Sequence, residues 1–211
     1  MKRIDNYITE KLKISKSTKS QYNYFPKDAN ELREILAERL AKDKNANLND
    51  IDVSEITDTR IFGSGGLFVG LDPHNIDISD WDVSNIKIMR CMFDGCENFD
   101  CDLGKWDVSS VKDMCYMFEC CKSFKGKGLE NWDVSNVKNT YYMFDECINF
   151  DCDLSNWNVK NVETMDCMFY GCINFKGKGL DKWKLDSIDS TNNMFRNCRA
   201  IKRPIWYKEN I

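Results

Sequence analysis

The chain has 211 residues, with 30 Lys and Arg against 34 Asp and Glu, one histidine, eleven cysteines and a net charge of −4. That balance argues against broad binding to a phosphate backbone, and no apolar run approaches the ~18 residues that a membrane-spanning helix needs. The stretch Met1 to Lys19 is basic but has no apolar segment of the kind that secretory leaders carry, so a cytoplasmic setting is expected.

Residues 1–25 read as a basic arm, with Lys2, Arg3, Lys11, Lys13, Lys16 and Lys19 among scattered apolar residues. A short helix around Asn6 to Lys13 is allowed there, and a solvated arm is the plainer reading. Phe25-Pro26 breaks the chain, and residues 26–50 read as a capping helix and its lead-in. Asp28 and Glu31 stand at capping-box spacing. Leu32, Ile35, Leu36 and Leu40 fall on one helical face, which predicts a helix from Ala29 to Lys42. Its apolar stripe is suited to cover the open end of a stacked array.

Residues 51–205 hold five to six repeats of 25 or 26 residues. Trp81, Trp106, Trp132, Trp157 and Trp183 recur at that interval, as do Met92-Phe93, Met117-Phe118, Met143-Phe144, Met168-Phe169 and Met194-Phe195. Cys96, Cys121, Cys147, Cys172 and Cys198 follow the same beat. Repetition this strict predicts a repeat solenoid, each unit burying its apolar face on its neighbours. The first unit is imperfect. It carries about five extra residues near Ile61 to Gly66, read as a surface bulge, and its His74 aligns with the inward position of Phe99. In the second unit Phe99, Cys101 and Leu103 alternate with Asp100 and Asp102, which predicts a short strand.

Stacking the units aligns Asp100, Lys125, Asp151 and Lys176 in one column and Asp102, Lys127, Asp153 and Lys178 in the next. Opposite charges are expected to face each other at every step and to discourage a slip by one unit. Cys101, Gly126, Cys152 and Gly177 alternate beneath them, so the repeat is a two-unit phrase written twice, with Gly128 as the extra residue of the longer unit. Asn85, Ser110, Asn136, Asn161 and Ser187 form a column of short polar residues suited to bond neighbouring backbones. Pro204 ends the array, and residues 206–211 read as a cap or tail; Trp206 is out of register with the other tryptophans and, with Ile205, Tyr207 and Ile211, is suited to cover the open end.

Eleven cysteines at repeat-equivalent positions read as reduced core thiols, because in-register side chains point the same way and rarely reach disulfide torsions. Catalysis by a thiol needs a nearby base, and the single histidine is expected to be packed. Cys115, Cys120 and Cys121 lack a paired metal-binding framework. No enzyme activity, cofactor or metal is therefore expected. The most variable positions lie just before Met-Phe, and Tyr116, Tyr141, Tyr142 and Tyr170 place aromatics near one edge, either as exposed anchors or packed between repeats. Exposed aromatics anchor interfaces, so these four are the candidate protein-binding residues.

The phrases Trp-Asp-Val-Ser-Asn-Val, Met-Phe-x-x-Cys and Asn-Phe-x-x-Asp-Leu-x-x-Trp resemble the BspA-like leucine-rich repeats of bacterial surface proteins, mycoplasmas and phages, over about Ile51 to Ile205. The resemblance implies a leucine-rich-repeat-like right-handed coil of short parallel β-strands and one-turn helices, closed by an N-terminal α-helical cap. It also implies a non-catalytic protein-interaction scaffold in a bacterial or phage-infected cell. The alternative is a structural or accessory component of a larger assembly such as a phage particle.

Overall fold

The computed structural model describes residues 21–61 and 65–208. The basic arm through residue 20, with its allowed helix, and the expected end-covering role of Ile211 lie outside the described residues.

Helix α1 spans Ala29–Lys42, as its sequence predicts. Asp28 accepts the N–H groups of Asn30 at 2.8 Å and Glu31 at 3.0 Å, which have no partner inside the helix. The Glu31 carboxylate reaches back to the N–H of Lys27 at 3.0 Å. Ala29, Leu32, Leu36 and Leu40 are buried, while Ile35 is only partly so. Arg33 fixes the helix to the first repeat by donating to the carbonyls of Leu67 and Val69, each at 2.7 Å, and Arg39 pairs with Asp50 at 3.0 Å.

The regular strands are β1 (Arg60–Ile61) and β2 (Gly65–Gly66), an antiparallel pair that forms at the insertion in the first repeat. A paired hairpin thus stands where a plain bulge was expected. Parallel pairing occurs as single bridges. Tyr24 pairs with Ile51, so residues 21–25 of the expected arm meet the first repeat at Tyr24, and Asn47 pairs with Asp77. A longer column runs from Asp58 to Ile88, Asp113, Asn139, Thr164 and Ser190 in turn. This column precedes each Met-Phe pair. The predicted strand at 99–103 does not form. Its neighbouring repeat is tied by the Leu103 N–H on the Lys127 carbonyl at 3.2 Å, and tight turns close both flanks, Phe99 onto Cys96 and Trp106 onto Leu103. Gly128 and Gly179, with φ of 93° and 92°, then start 3-10 turns at Leu129–Asn131 and Leu180–Lys182. A Cβ on Gly128 would fall 2.1 Å from the Gly104 nitrogen, so the inserted residue must be glycine.

Rings build the core. Phe93, Phe118, Phe144, Phe169 and Phe195 stack in sequence with centroids 5.4–5.8 Å apart and planes within 8°. Trp81, Trp106 and Trp132 stack at 6.4 and 6.5 Å, and Trp157 and Trp183 at 6.4 Å. Offset aromatic pairs of this kind add ~0.5–1.5 kcal/mol each beyond the area they bury. Every indole N–H finds a carbonyl of the preceding repeat, from Trp81 on Leu48 at 2.9 Å to Trp183 on Leu154 at 3.1 Å. Trp206 joins this column, 6.3 Å from Trp183, with its indole on the Leu180 carbonyl at 2.8 Å. The expectation that it lies out of register is corrected: a turn from the buried Pro204 to Tyr207 shortens the path and returns the ring to the stack. Tyr207 packs edge-on to Phe195 at 4.8 Å, whereas Ile205 is 99% exposed and covers nothing.

All eleven cysteines are free. Cys121, Cys147 and Cys172 are wholly buried, and their thiols donate to the carbonyls of Phe93, Phe118 and Phe144 at 3.0, 2.9 and 2.9 Å. Asn85, Asn136 and Asn161 donate to backbone carbonyls of the preceding repeat at 2.7–2.9 Å, the role expected of that column, which its two serines, Ser110 and Ser187, do not take among the described residues. Four of the six expected steps in the charge columns are ion-paired. Lys125 pairs with Asp100, Lys176 with Asp151, Lys127 with Asp102 at 2.9 Å and Lys178 with Asp153 at 2.6 Å. Among the described residues no ion pair joins Lys125 to Asp151 or Lys127 to Asp153. The pairs lie within the two-repeat phrase and not between phrases. His74 is also corrected: it is partly exposed beside Asp72 at 3.3 Å rather than packed inward, and Pro73 is buried next to it.

Candidate functional site

The variable edge is shaped by unusual backbone. Cys91, Tyr116, Tyr142, Cys167 and Asn193, one per repeat, sit at φ between 53° and 57°. Non-glycine residues pay for that conformation, and here it turns alternate peptides so that their N–H groups reach the next repeat. Tyr116 donates to the Tyr141 carbonyl at 2.9 Å and Tyr142 to that of Asp166 at 3.0 Å.

This backbone brings three of the four candidate tyrosines together. Tyr116 lies 5.4 Å from Tyr141, edge-on, and 5.2 Å from Tyr142, stacked, and Tyr141 and Tyr142 are 4.4 Å apart. All three are half-buried. The Arg90 guanidinium lies 5.9 Å from the Tyr116 ring centre, within cation–π range. Burial, then the hydrogen bond with Tyr141, pushes the Tyr116 phenol up, and the bond with Cys167 followed by burial does the same to Tyr142. Both hydroxyls stay protonated and can donate. Tyr170 stands apart in a different column, its hydroxyl accepting from the Asn197 amide at 3.1 Å.

A second feature escapes a reading built on aromatics. The residue after each Met-Phe pair is Asp94, Glu119, Asp145, Tyr170 and Arg196 in turn. Three successive carboxylates thus align beside the tyrosines. Burial, then the charge of Asp94, pushes Glu119 up to about 7. Burial, then Glu146, pushes Asp145 up to about 7. Asp145 is buried and its Oδ1 has no hydrogen-bond partner among the described residues. Lining up the residue after Met-Phe is enough to find this column; the sequence cannot show that Asp94 and Glu119 are half-buried and Asp145 buried. The thiols nearby are not activated, since burial pushes Cys115 up to about 12 and Cys120 to about 11. Among the described residues no three His, Cys, Asp or Glu are placed to hold a metal ion, and no helix is long and apolar enough to cross a membrane.

No curated protein and no solved structure matches the chain. One family matches twice, over residues 30–128 and 105–208. The second match begins three repeat lengths of roughly 25 residues after the first, as a chain of equivalent units requires. Together the two matches run from α1 to the turn after Trp206, and the chain belongs to the family described as Mycoplasma protein of unknown function, DUF285.

Proposed function

We propose that this chain is a non-catalytic protein-interaction scaffold, a leucine-rich-repeat-like solenoid of the BspA-like kind, whose docking edge is centred on Tyr116, Tyr141 and Tyr142. The observation that carries the reading is the three-ring cluster itself, half-exposed, with centroids 4.4–5.4 Å apart on a backbone held by bonds between repeats. Preordered aromatics lose little entropy on binding and supply both apolar area and donors. Arg90 at one side adds a cation that interface anchors commonly include. Support for a non-catalytic role comes from the thiols, because a nucleophilic cysteine needs a lowered pKa and these are raised.

The test is affinity capture from the native host with the parent chain and with Tyr141→Ala/Tyr142→Ala, proteins being quantified by mass spectrometry. Loss of a specific co-purifying protein, with the circular dichroism spectrum retained, supports the reading. A double variant that keeps its fold and every interaction of the parent overturns it.

A further inference from the structure

The bonds that join the repeats have a direction. Along the arm that carries Met-Phe, alternate N–H groups of each repeat donate forward to carbonyls of the next. Met165, Cys167, Phe169 and Gly171 do so to Ser190, Asn192, Met194 and Arg196 at 2.9–3.1 Å, and the earlier repeats repeat the pattern. The peptides of this arm therefore align as in a helix, N–H groups toward the C-terminal end of the stack and carbonyls toward the N-terminal end. At the N-terminal end the surplus carbonyls of Leu67 and Val69 are taken by the Arg33 guanidinium. At the opposite end the equivalent donors are the N–H groups of Thr191, Asn193, Phe195 and Asn197, and no described residue accepts from any of them.

The chain around this row is basic. From Asp189 to Glu209 it contains five Lys and Arg against two acids, in a protein whose net charge is −4, and the carboxylate of Asp166 from the preceding repeat is already held by Ser190 and Asn192. Arg196 and Arg199 are exposed beside the row, and Asn193 and Asn197 hold φ of 53° and 64°. N–H groups aligned by alternating right- and left-handed residues favour negative partners. In the four repeats whose rows start at Met89, Met114, Thr140 and Met165 the N–H groups are met by backbone carbonyls two residues apart, which is the geometry of a polypeptide and not of a phosphate chain.

We propose that this end of the stack docks an extended acidic polypeptide segment. Its carbonyls take the N–H row by strand addition, and its carboxylates meet Arg196 and Arg199. The site is independent of the tyrosine edge. The test is a titration of the 15N-labelled full chain with an acetylated, amidated hexaglutamate peptide, followed by amide chemical shifts. The amides of Asn193, Phe195 and Asn197 are expected to shift, and Arg196→Glu/Arg199→Glu, checked for fold by circular dichroism, to weaken binding at least tenfold. The proposal is overturned if these amides stay unmoved, or if hexaglutamine binds as well. It is equally overturned if a twelve-nucleotide oligothymidine binds more tightly than hexaglutamate, which would mark a nucleic-acid surface. Concentration-dependent self-association by light scattering, with the same amides protected, would assign the end to a second copy and overturn it too.

Discussion

Single residues in this chain are constrained by what the next repeat brings against them. Gly128 has a φ of 93° and the Gly104 backbone beside it, whereas Gly70 has a φ of 74° and open space around its Cα. Gly128→Ala should cost about 2–4 kcal/mol, combining backbone strain with overpacking. Gly70→Ala should cost about 1 kcal/mol, from strain alone; urea unfolding of both variants measures the difference. Glu119 and Asp145 set a second residue-scale expectation. Their folded pKa values of about 7 lie above the ~4 of the unfolded chain. The folded state therefore binds more protons than the unfolded one between those limits, and stability falls as pH rises through that window. Asp153, held far below the usual range by Lys178 and Ser155, contributes stability that is already complete above pH ~5. The melting temperature should decline from pH 5 to pH 8 at constant ionic strength, and Glu119→Gln/Asp145→Asn should flatten the slope. An unchanged slope in the double variant would place the titration elsewhere.

At the scale of elements, the helix was legible in full. Asp28, the Glu31 spacing and the stripe of Leu32, Ile35, Leu36 and Leu40 mark its start and its inward face, at whose margin Ile35 stays partly exposed, because capping and amphipathic period are local properties. The period of the tryptophans and Met-Phe pairs was equally plain. The strand predicted at 99–103 was not, since period-two alternation also suits a turn-closed path whose inward residues are Phe99, Cys101 and Leu103. The return of Trp206 to the ring stack is hidden for the same reason: sequence spacing counts residues, while the turn at Pro204 sets distance. The tyrosine cluster was visible as composition, and alignment on Met-Phe already separates Tyr170, which follows the pair, from the three that precede it; the ring contacts among those three depend on left-handed residues that no local signal marks. Arg33 gives the element-scale prediction. It bridges α1 to three carbonyls of the first repeat, those of Gly66, Leu67 and Val69, and hydrogen bonds to a charged group contribute about 1.5–3 kcal/mol. Arg33→Leu should lose roughly that much, and Arg33→Lys, with one point charge in place of a fork, should recover only part of it. Amide hydrogen exchange in α1 should quicken before that of the middle repeats.

For the whole molecule the question is what fixes one repeat on the next. The surface ion pairs are exposed and contribute ~0–1 kcal/mol each, and none is found between Lys125 and Asp151 among the described residues, so charge alone cannot set the order. Packing is the stronger term. A Cβ on Gly126 would lie 2.6 Å from the Phe150 ring and 2.9 Å from the Cys152 Cβ, so the glycine of one repeat makes room for the cysteine and ring of the next. Deletions separate the two explanations. Removing residues 107–157 takes out a complete two-repeat phrase and joins Trp106 to Asn158, which leaves Cys101 followed by Gly177. Removing residues 107–132 takes out one repeat and sets Cys101 directly against Phe150 and Cys152, with no glycine between. The longer deletion should keep a cooperative urea transition, with a slope reduced in proportion to the surface lost. The shorter one, despite retaining more core, should be the less stable by about 1–3 kcal/mol from overpacking. If the shorter deletion proves the more stable, the glycine–cysteine alternation does not govern the stack, and the single repeat is the unit of the fold.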